Sequence, residues 1–111
     1  MNLSAPEYIS NYIGGDLQAP INGKYIDNVN PATGELYSHT PDSDINDVEE
    51  AVGAARAAFA SWSTTPAEER FTILNRIAQL IDENLDVLAL AETNDNGKPL
   101  WLSKRVDIPR A

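Results

Sequence analysis

The 111-residue sequence contains no cysteine. This segment therefore has no disulfide, no thiolate zinc ligand and no thiol nucleophile. It has a single histidine, His39, which argues against a Ser-His-acid triad and against a metal site built from several histidines. We interpret His39, near the end of a predicted strand, as an ordinary strand or surface residue.

Basic residues are scarce, with 8 Lys and Arg against 17 Asp and Glu and a net charge of −9. Binding to nucleic acid or to an anionic membrane needs clustered positive charge, so we expect neither partner. No apolar run approaches the ~20 residues that span a bilayer, and the N-terminus lacks the features of a signal peptide. We therefore expect a soluble, cytoplasmic protein.

Loops that bind phosphate are also absent, because the sequence has neither a Gly-x-Gly-x-x-Gly nor a Walker-type motif. The acid pairs Glu49-Glu50 and Glu68-Glu69 are adjacent in sequence. Adjacent residues diverge on a helix, so we interpret these pairs as solvated faces. We assign no catalytic residue and no cofactor-binding residue to this segment.

Short strands and turns are predicted for the first part of the chain. Residues 1–10 read as a flexible lead-in. Tyr25–Val29 and Leu36–Thr40 are rich in β-formers, and Asn30–Gly34 between them breaks the ladder with a proline and a glycine. We expect a small antiparallel β unit over about residues 11–40. A unit of this size is stable only when it packs on something else.

A helical period begins after Ser43. Apolar residues recur at spacings of 3 and 4, which predicts one apolar helix face. We call this face the α1 stripe; it comprises Ile45, Val48, Val52, Ala55, Phe59 and Trp62. Ser43 or Asp44 is the expected N-cap. Trp62 is interpreted as a core anchor.

A second helix is predicted after a capping box with Thr65 at the N-cap, Pro66 at N1 and Glu68 at N3. A continuation or third helix runs until Asn96-Gly97 stops it. Residues 100–111 could begin a further helix, with Pro109 in its first turn or at a kink. The predicted fold is thus α/β, with the small β unit followed by two to three amphipathic helices over about residues 44–95.

The segment Asp95-Asn96-Gly97-Lys98-Pro99 combines a carboxylate with a turn that has free backbone carbonyls. Such a group of oxygens could bind a hard cation. A helix stop with solvated side chains explains the same residues, and chemistry alone favours that simpler interpretation.

Seven motifs in register resemble the N-terminal part of NAD(P)-dependent aldehyde dehydrogenases, over about residues 11–111. They are Tyr12-Ile13-Gly14-Gly15, Asn30-Pro31-Ala32-Thr33-Gly34, the segment Ala54–Phe59, Trp62, Glu69-Arg70, Leu74–Ala78, and Glu92-Thr93 leading into Asp95–Pro99. A finer similarity, to enzymes of 2-aminomuconic and 2-hydroxymuconic semialdehydes, is carried by Tyr25–Asp27, Ser61–Ser63 and Asp107-Ile108-Pro109-Arg110.

The resemblance implies a complete enzyme that binds NAD or NADP in a Rossmann-like domain and oxidises an aldehyde through a cysteine thiolate. The family's catalytic cysteine, general base and main cofactor contacts lie further along the chain, so none maps onto residues 1–111. No cofactor is expected for this segment alone. One family feature does map here: a structural monovalent cation, Na⁺ or K⁺, whose ligands correspond to Asn28 and Asp95.

Two hypotheses follow. In the first, the chain is the scaffold-forming N-terminal portion of an aldehyde dehydrogenase, incomplete at its C-terminus and inactive alone. Its partners are then the rest of the dehydrogenase chain or further copies in a homo-oligomer. In the second, it is a self-standing, non-catalytic α+β module that binds a partner protein through its helices.

Overall fold

The computed structural model describes residues 6–111. These residues form two compact units. One contains residues 6–28 and 36–65, and the other contains residues 29–35 and 66–111.

The first unit begins with a hairpin of two antiparallel strands, β1 (Asn11–Ile13) and β2 (Asp16–Gln18), in which Tyr12 lies opposite Leu17. Gly14 and Gly15 form the turn with φ angles of +63° and +97°. Glycine adopts these angles at no steric cost, so Gly14-Gly15 sets both the turn and the register of the hairpin.

Two further strands, β3 (Tyr25–Val29) and β4 (Leu36–Pro41), form a second two-stranded sheet. The turn between them is closed by the backbone N–H of Asn30, which donates to the carbonyl of Glu35 at 2.9 Å. The predicted antiparallel β unit is confirmed. Ahead of the hairpin, Tyr8 forms an isolated parallel bridge with His39.

Helix α1 (Ile45–Trp62) begins at Asp44, as predicted. The Asp44 side chain accepts from the backbone N–H of Asn46 at 2.9 Å, and the Asp47 side chain accepts from the backbone N–H of Asp44 at 3.0 Å. The Asp44 side chain also accepts from the backbone N–H of Asp47, and this bond and the reciprocal one from Asp44 to Asp47 form a capping box. The pKa of Asp44 is lowered, chiefly by the hydrogen bond from the Asn46 backbone.

The hairpin covers the side of α1 that carries small and polar residues. Asp47 is 4% exposed, and Ala51 and Ala54 are half-buried. A Cβ atom on Gly14 would lie 4.0 Å from the Cβ of Ala54, which places the hairpin turn directly against the helix. The α1 stripe lies on another side of the helix, and every one of its residues is exposed.

Helix α2 (Ala67–Glu83) opens the larger part of the second unit. The predicted capping box at Thr65 is wrong. Pro66 is the N-cap, with ψ at 146°, and no side chain bonds the first turn. The Thr65 hydroxyl instead donates to the carbonyl of Ser61 at 3.0 Å, in the last turn of α1.

Helix α3 (Leu85–Asn96) ends at Gly97 in the left-handed region, at φ +76°, as the Asn-Gly pair predicts. A helical stretch follows. It consists of α4 (Leu100–Leu102), a π-helical turn over Ser103–Asp107, and α5 (Ile108–Arg110). Pro109 lies at the start of α5, so the predicted further helix forms with its proline in a first turn.

Ala89 is fully buried, and Pro20 is the other buried apolar residue among residues 6–111. The polar residues Ser38, Asp47 and Ser103 are buried as well. Many large apolar side chains are exposed, and those on α1 and α2 are Ile45, Val48, Val52, Phe59, Trp62, Phe71, Ile73, Leu74, Ile77 and Leu80. The interpretation of Trp62 as a core anchor is wrong for this segment, since its exposure is 42%.

Candidate functional site

The most buried carboxylate of the described residues is Asp47, at the junction of the hairpin and α1. One oxygen accepts from the backbone N–H of Ile21 at 2.9 Å and from Asn11 Nδ2 at 3.4 Å. The other oxygen completes the α1 capping box. A carboxylate that accepts several hydrogen bonds is held in one position. Asp47 therefore ties the hairpin and the following loop to the start of α1.

A groove of about 250 Å³ lies beside this junction. It is lined by Asn11, Tyr12, Ile13, Ser43, Asp47, Val48 and Ala51. A second groove, of about 260 Å³, is lined by residues 82–87, where α2 meets α3. Both volumes fall below the roughly 300–1,000 Å³ that is usual for small-molecule pockets.

Lys98 joins two carboxylates in the second unit. Its Nζ atom lies 2.9 Å from Glu92 Oε1 on α3 and 2.8 Å from Asp107 Oδ2 at the end of the π-helical turn. The hydrogen bond to Asp107, followed by that to Glu92, raises the pKa of Lys98. We call these three residues the Lys98 clamp. It fixes the stop of α3 against the helical stretch that follows.

Two close contacts lie beside the clamp. The hydroxyls of Thr93 and the fully buried Ser103 are 3.1 Å apart and share a hydrogen bond. A Cβ atom on Gly97 would lie only 3.0 Å from Cγ of Pro31. The two turn motifs of the sequence, Asn30–Gly34 and Asn96–Pro99, therefore meet within one unit. Glycine is required at position 97 for both its φ angle and this contact.

The two predicted cation ligands lie in different units. Asn28, on β3, is half-buried, and its Nδ2 donates to the hydroxyls of Tyr37 at 2.9 Å and Ser38 at 3.1 Å. Asp95, on α3, is exposed. Amide, carboxylate and backbone carbonyl oxygens are the ligands that a hard cation takes, so the residue types fit. The shared cation stays a prediction.

His39 lies in a small aromatic cluster on β4. Its ring stacks on Tyr8, with centroids 4.7 Å apart, and Tyr8 meets Tyr25 edge to face at 5.0 Å. His39 Nδ1 is 3.2 Å from Asp27 Oδ1. Each of these groups has a partner within the cluster, which secures the segment around Tyr8 to β4.

Metal-binding clusters and membrane-spanning helices are both absent from residues 6–111. No group of three or more His, Cys, Asp or Glu side chains there could hold a metal ion. Within the same range, no helix has the length and apolar content to cross a bilayer.

Sequence patterns did not reveal the Lys98 clamp or the Tyr8–His39 stack. Lys98 and Asp107 are nine residues apart in the sequence. The π-helical turn brings their side chains together. The capping box at Asp44 did leave a signal, since an acid stands three residues after the cap.

Comparison with known proteins agrees with the predicted resemblance. The model of the aldehyde dehydrogenase family matches residues 19–111. The chain is 45% identical over 103 residues to 2-aminomuconic semialdehyde dehydrogenase of Bos taurus, covering 93% of this chain and 21% of that protein. It is 46% identical over 101 residues to a probable aldehyde dehydrogenase of Mycobacterium tuberculosis, covering 91% and 20%.

Solved structures match the fold as well. The crystal structure of PnpE in complex with nicotinamide adenine dinucleotide matches with a TM-score of 0.89 and 34% identity, covering 95% of this chain and 21% of that one. Indole-3-acetaldehyde dehydrogenase in its apo form matches with a TM-score of 0.88 and 37% identity, covering 91% and 24%. The chain thus spans about a fifth of the length of the relatives it matches. It belongs to the aldehyde dehydrogenase family.

Proposed function

We propose that this chain is the scaffold-forming N-terminal portion of an enzyme that oxidises an aldehyde to an acid with NAD or NADP. The observation that carries the proposal is the coverage: 93% of the chain aligns with a curated dehydrogenase, but only with 21% of it. The chain also has no cysteine, the nucleophile that the family resemblance implies. On its own, the 111-residue chain is therefore proposed to be inactive.

Residues 1–111 have a limited role in the proposed reaction. NAD(P) supplies the hydride acceptor when it is bound in the complete enzyme. The chain has no glycine-rich phosphate loop, so it does not fit the cofactor by itself. Its own groups hold the hairpin on α1 through Asp47 and close the end of α3 through Lys98. We propose that these two parts of the chain each support the rest of the subunit, in a cytosolic homo-oligomer.

The proposed substrate class is a muconic semialdehyde. Support comes from 45% identity to 2-aminomuconic semialdehyde dehydrogenases of Bos taurus and Mus musculus and from the segment Asp107–Arg110. An acetaldehyde dehydrogenase of Cupriavidus necator is 46% identical over 101 residues. Acetaldehyde is therefore the substrate with which the muconic semialdehyde is compared. Values of kcat/KM for the two aldehydes, measured on a complete enzyme containing this segment, decide between them.

We also propose a structural Na⁺ or K⁺ ion bound through Asn28 and Asp95. The support is the oxygen chemistry of the two residues and their match to the family's positions. In a complete enzyme, replacing choline chloride by NaCl or KCl at equal ionic strength is expected to raise the melting temperature. Asp95→Asn should remove that rise, and an unchanged rise would count against the ligand assignment.

A chimera tests the main proposal. Residues 1–111 replace the matching first fifth of the bovine 2-aminomuconic semialdehyde dehydrogenase, and aldehyde-dependent NAD reduction is measured at 340 nm. We expect turnover from the chimera and none from 1–111 alone. Clear turnover by 1–111 alone, or a chimera that folds but shows none, contradicts the proposal.

The self-standing interaction module is the competing function, and the exposed apolar side chains of α1 and α2 would then bind another protein. A cooperative unfolding transition of monomeric 1–111 favours this module. Association or the lack of a cooperative transition favours the dehydrogenase portion.

A further inference from the structure

The chain contains three lysines, and the structure restrains their amines to different degrees. Lys24, in the loop between β2 and β3, is exposed. Its amine forms no ion pair and no hydrogen bond with any group of residues 6–111. The backbone of Lys24 is nevertheless fixed, because its N–H donates to Asn22 Oδ1 at 2.8 Å and its carbonyl accepts from the N–H of Asp42 at 2.9 Å. The fold therefore presents this amine to solvent from an anchored loop.

The other two lysines are paired with carboxylates. Lys98 Nζ contacts both carboxylates of the Lys98 clamp, and its side chain is only 27% exposed. Lys104 Nζ lies 2.7 Å from Asp86 Oδ1, in a single pair. The side chain of Asp86 is 79% exposed, so water screens this pair and holds Lys104 less firmly than the clamp holds Lys98. The same amine thus occurs with two partners, with one and with none.

These partners matter for reactivity towards carbonyl compounds. A lysine amine attacks an aldehyde in its neutral form, because only the neutral amine has a free electron pair. A neighbouring carboxylate favours the protonated form and therefore slows the attack. The pKa of Lys98 is raised, first by the hydrogen bond to Asp107 and then by that to Glu92. Lys98 is accordingly the least nucleophilic of the three.

We propose that Lys24 is the site at which aldehydes attach covalently to this chain, as an imine. The proposal rests on the proposed function, since the aldehyde that the enzyme oxidises is the electrophile. The electron pair of Lys24 Nζ forms a bond to the carbonyl carbon, which gives a carbinolamine. The carbinolamine loses its oxygen as water, together with the two amine protons, and the C=N bond forms. The step consumes no oxidant and no reductant.

Competitive labelling within the 111-residue chain tests the order of reactivity. The chain is incubated with acetaldehyde and sodium cyanoborohydride, which reduces each imine to a stable N-ethyl lysine. Peptide mass spectrometry then measures ethylation at each position. We expect Lys24 to be ethylated at least about tenfold faster than Lys98, with Lys104 between them. In urea the carboxylate contacts are lost, so the three lysines should react at similar rates.

Matched variants assign the order to the contacts. Asp107→Asn removes one carboxylate of the clamp and should raise the labelling of Lys98. Asp86→Asn should raise the labelling of Lys104 in the same way. Neither variant should change the labelling of Lys24. Far-UV circular dichroism confirms that each variant keeps the helical signal of the parent chain.

Several outcomes would overturn the proposal. They are equal labelling of Lys24 and Lys98 in buffer, faster labelling of Lys104 than of Lys24, and relative rates that are the same in buffer and in urea. The readout is adduct mass and not turnover. A chimera with the bovine enzyme that folds but shows no activity would therefore refute the proposed function and leave the labelling order unaffected.

Discussion

The α3 corner, from Asn84 to Arg110, packs against itself, whereas α1 and α2 leave their apolar residues in water. The corner contains Ala89 and Ser103, both with no exposed surface, and the Lys98 clamp. On α2 no side chain is buried, and on α1 the single buried residue is the polar Asp47. The corner is thus stabilised by its own contacts, while the long helices leave their large apolar side chains exposed.

We expect the largest change in stability from a charge placed at a buried position of α3, compared with the same charge at an exposed position of that helix. Ala89→Lys should destabilise the corner by at least about 3 kcal/mol, since it forces a long charged side chain into a filled, buried site. Ala91→Lys, at an exposed position of α3, should stay within about 0.5 kcal/mol. Urea unfolding followed by circular dichroism measures both. Equal effects would show that the corner is no better packed than the long helices.

A second pair of variants isolates the contact of Gly97 with Pro31. Gly97 and Gly34 have nearly equal φ angles, +76° and +74°, but a Cβ atom on Gly34 would meet nothing within 4 Å. Gly34→Ala should therefore cost only the left-handed strain of about 1–2 kcal/mol, and Gly97→Ala should cost more. Adding Pro31→Ala to Gly97→Ala should recover the difference. Equal costs in urea unfolding would argue against the close contact.

The Lys98 clamp should matter more than an isolated surface pair. Lys98→Met is expected to lower the melting temperature more than Lys104→Met, which removes a pair with Asp86, whose side chain is 79% exposed. The raised pKa of Lys98 means that its ion pairs stabilise the folded chain below the ordinary lysine pKa of about 10.4. The stabilisation is lost as pH rises through the raised value. The difference in melting temperature between parent and Lys98→Met should therefore shrink as pH rises above about 10.4.

We expect the smallest change in melting temperature from substitutions at the starts of the two long helices, α1 and α2. Asp44→Ala removes the α1 cap and should lower the melting temperature slightly, while Thr65→Ala should change it less, because Thr65 does not cap α2. The pKa of Asp44 is lowered, so its contribution is present above the ordinary aspartate pKa and is lost as pH falls through the lower, folded value. A larger effect from Thr65→Ala would contradict the observed cap.

Local signals predicted the elements well, because they depend on neighbouring residues. Gly97 ends α3 as the Asn-Gly pair indicates, and Asp44 begins α1. The predicted capping box at Thr65 is wrong, because the Thr65 hydroxyl donates to the carbonyl of Ser61. The sequence did not predict the Lys98 clamp, because the clamp depends on a π-helical turn, and no periodicity in the sequence predicts such a turn.

The resemblance predicted the family, and the composition shows that the cysteine it implies is not among these 111 residues. The missing cysteine and the missing glycine-rich loop are properties of the composition, so no fold is needed to read them. The predicted ligands Asn28 and Asp95 rest on matching positions, since oxygen ligands come together only through tertiary structure.

The sequence by itself determined the family, the strand and helix elements and the apolar stripe of α1, because composition, spacing and turn residues act locally. Only the tertiary structure decided which side of α1 is covered. A 3.6-residue period shows where apolar side chains lie around a helix but not what packs on them. Asn11 of the hairpin and the backbone N–H of Ile21 in the following loop both donate to Asp47, so the hairpin occupies the polar side and leaves the stripe open.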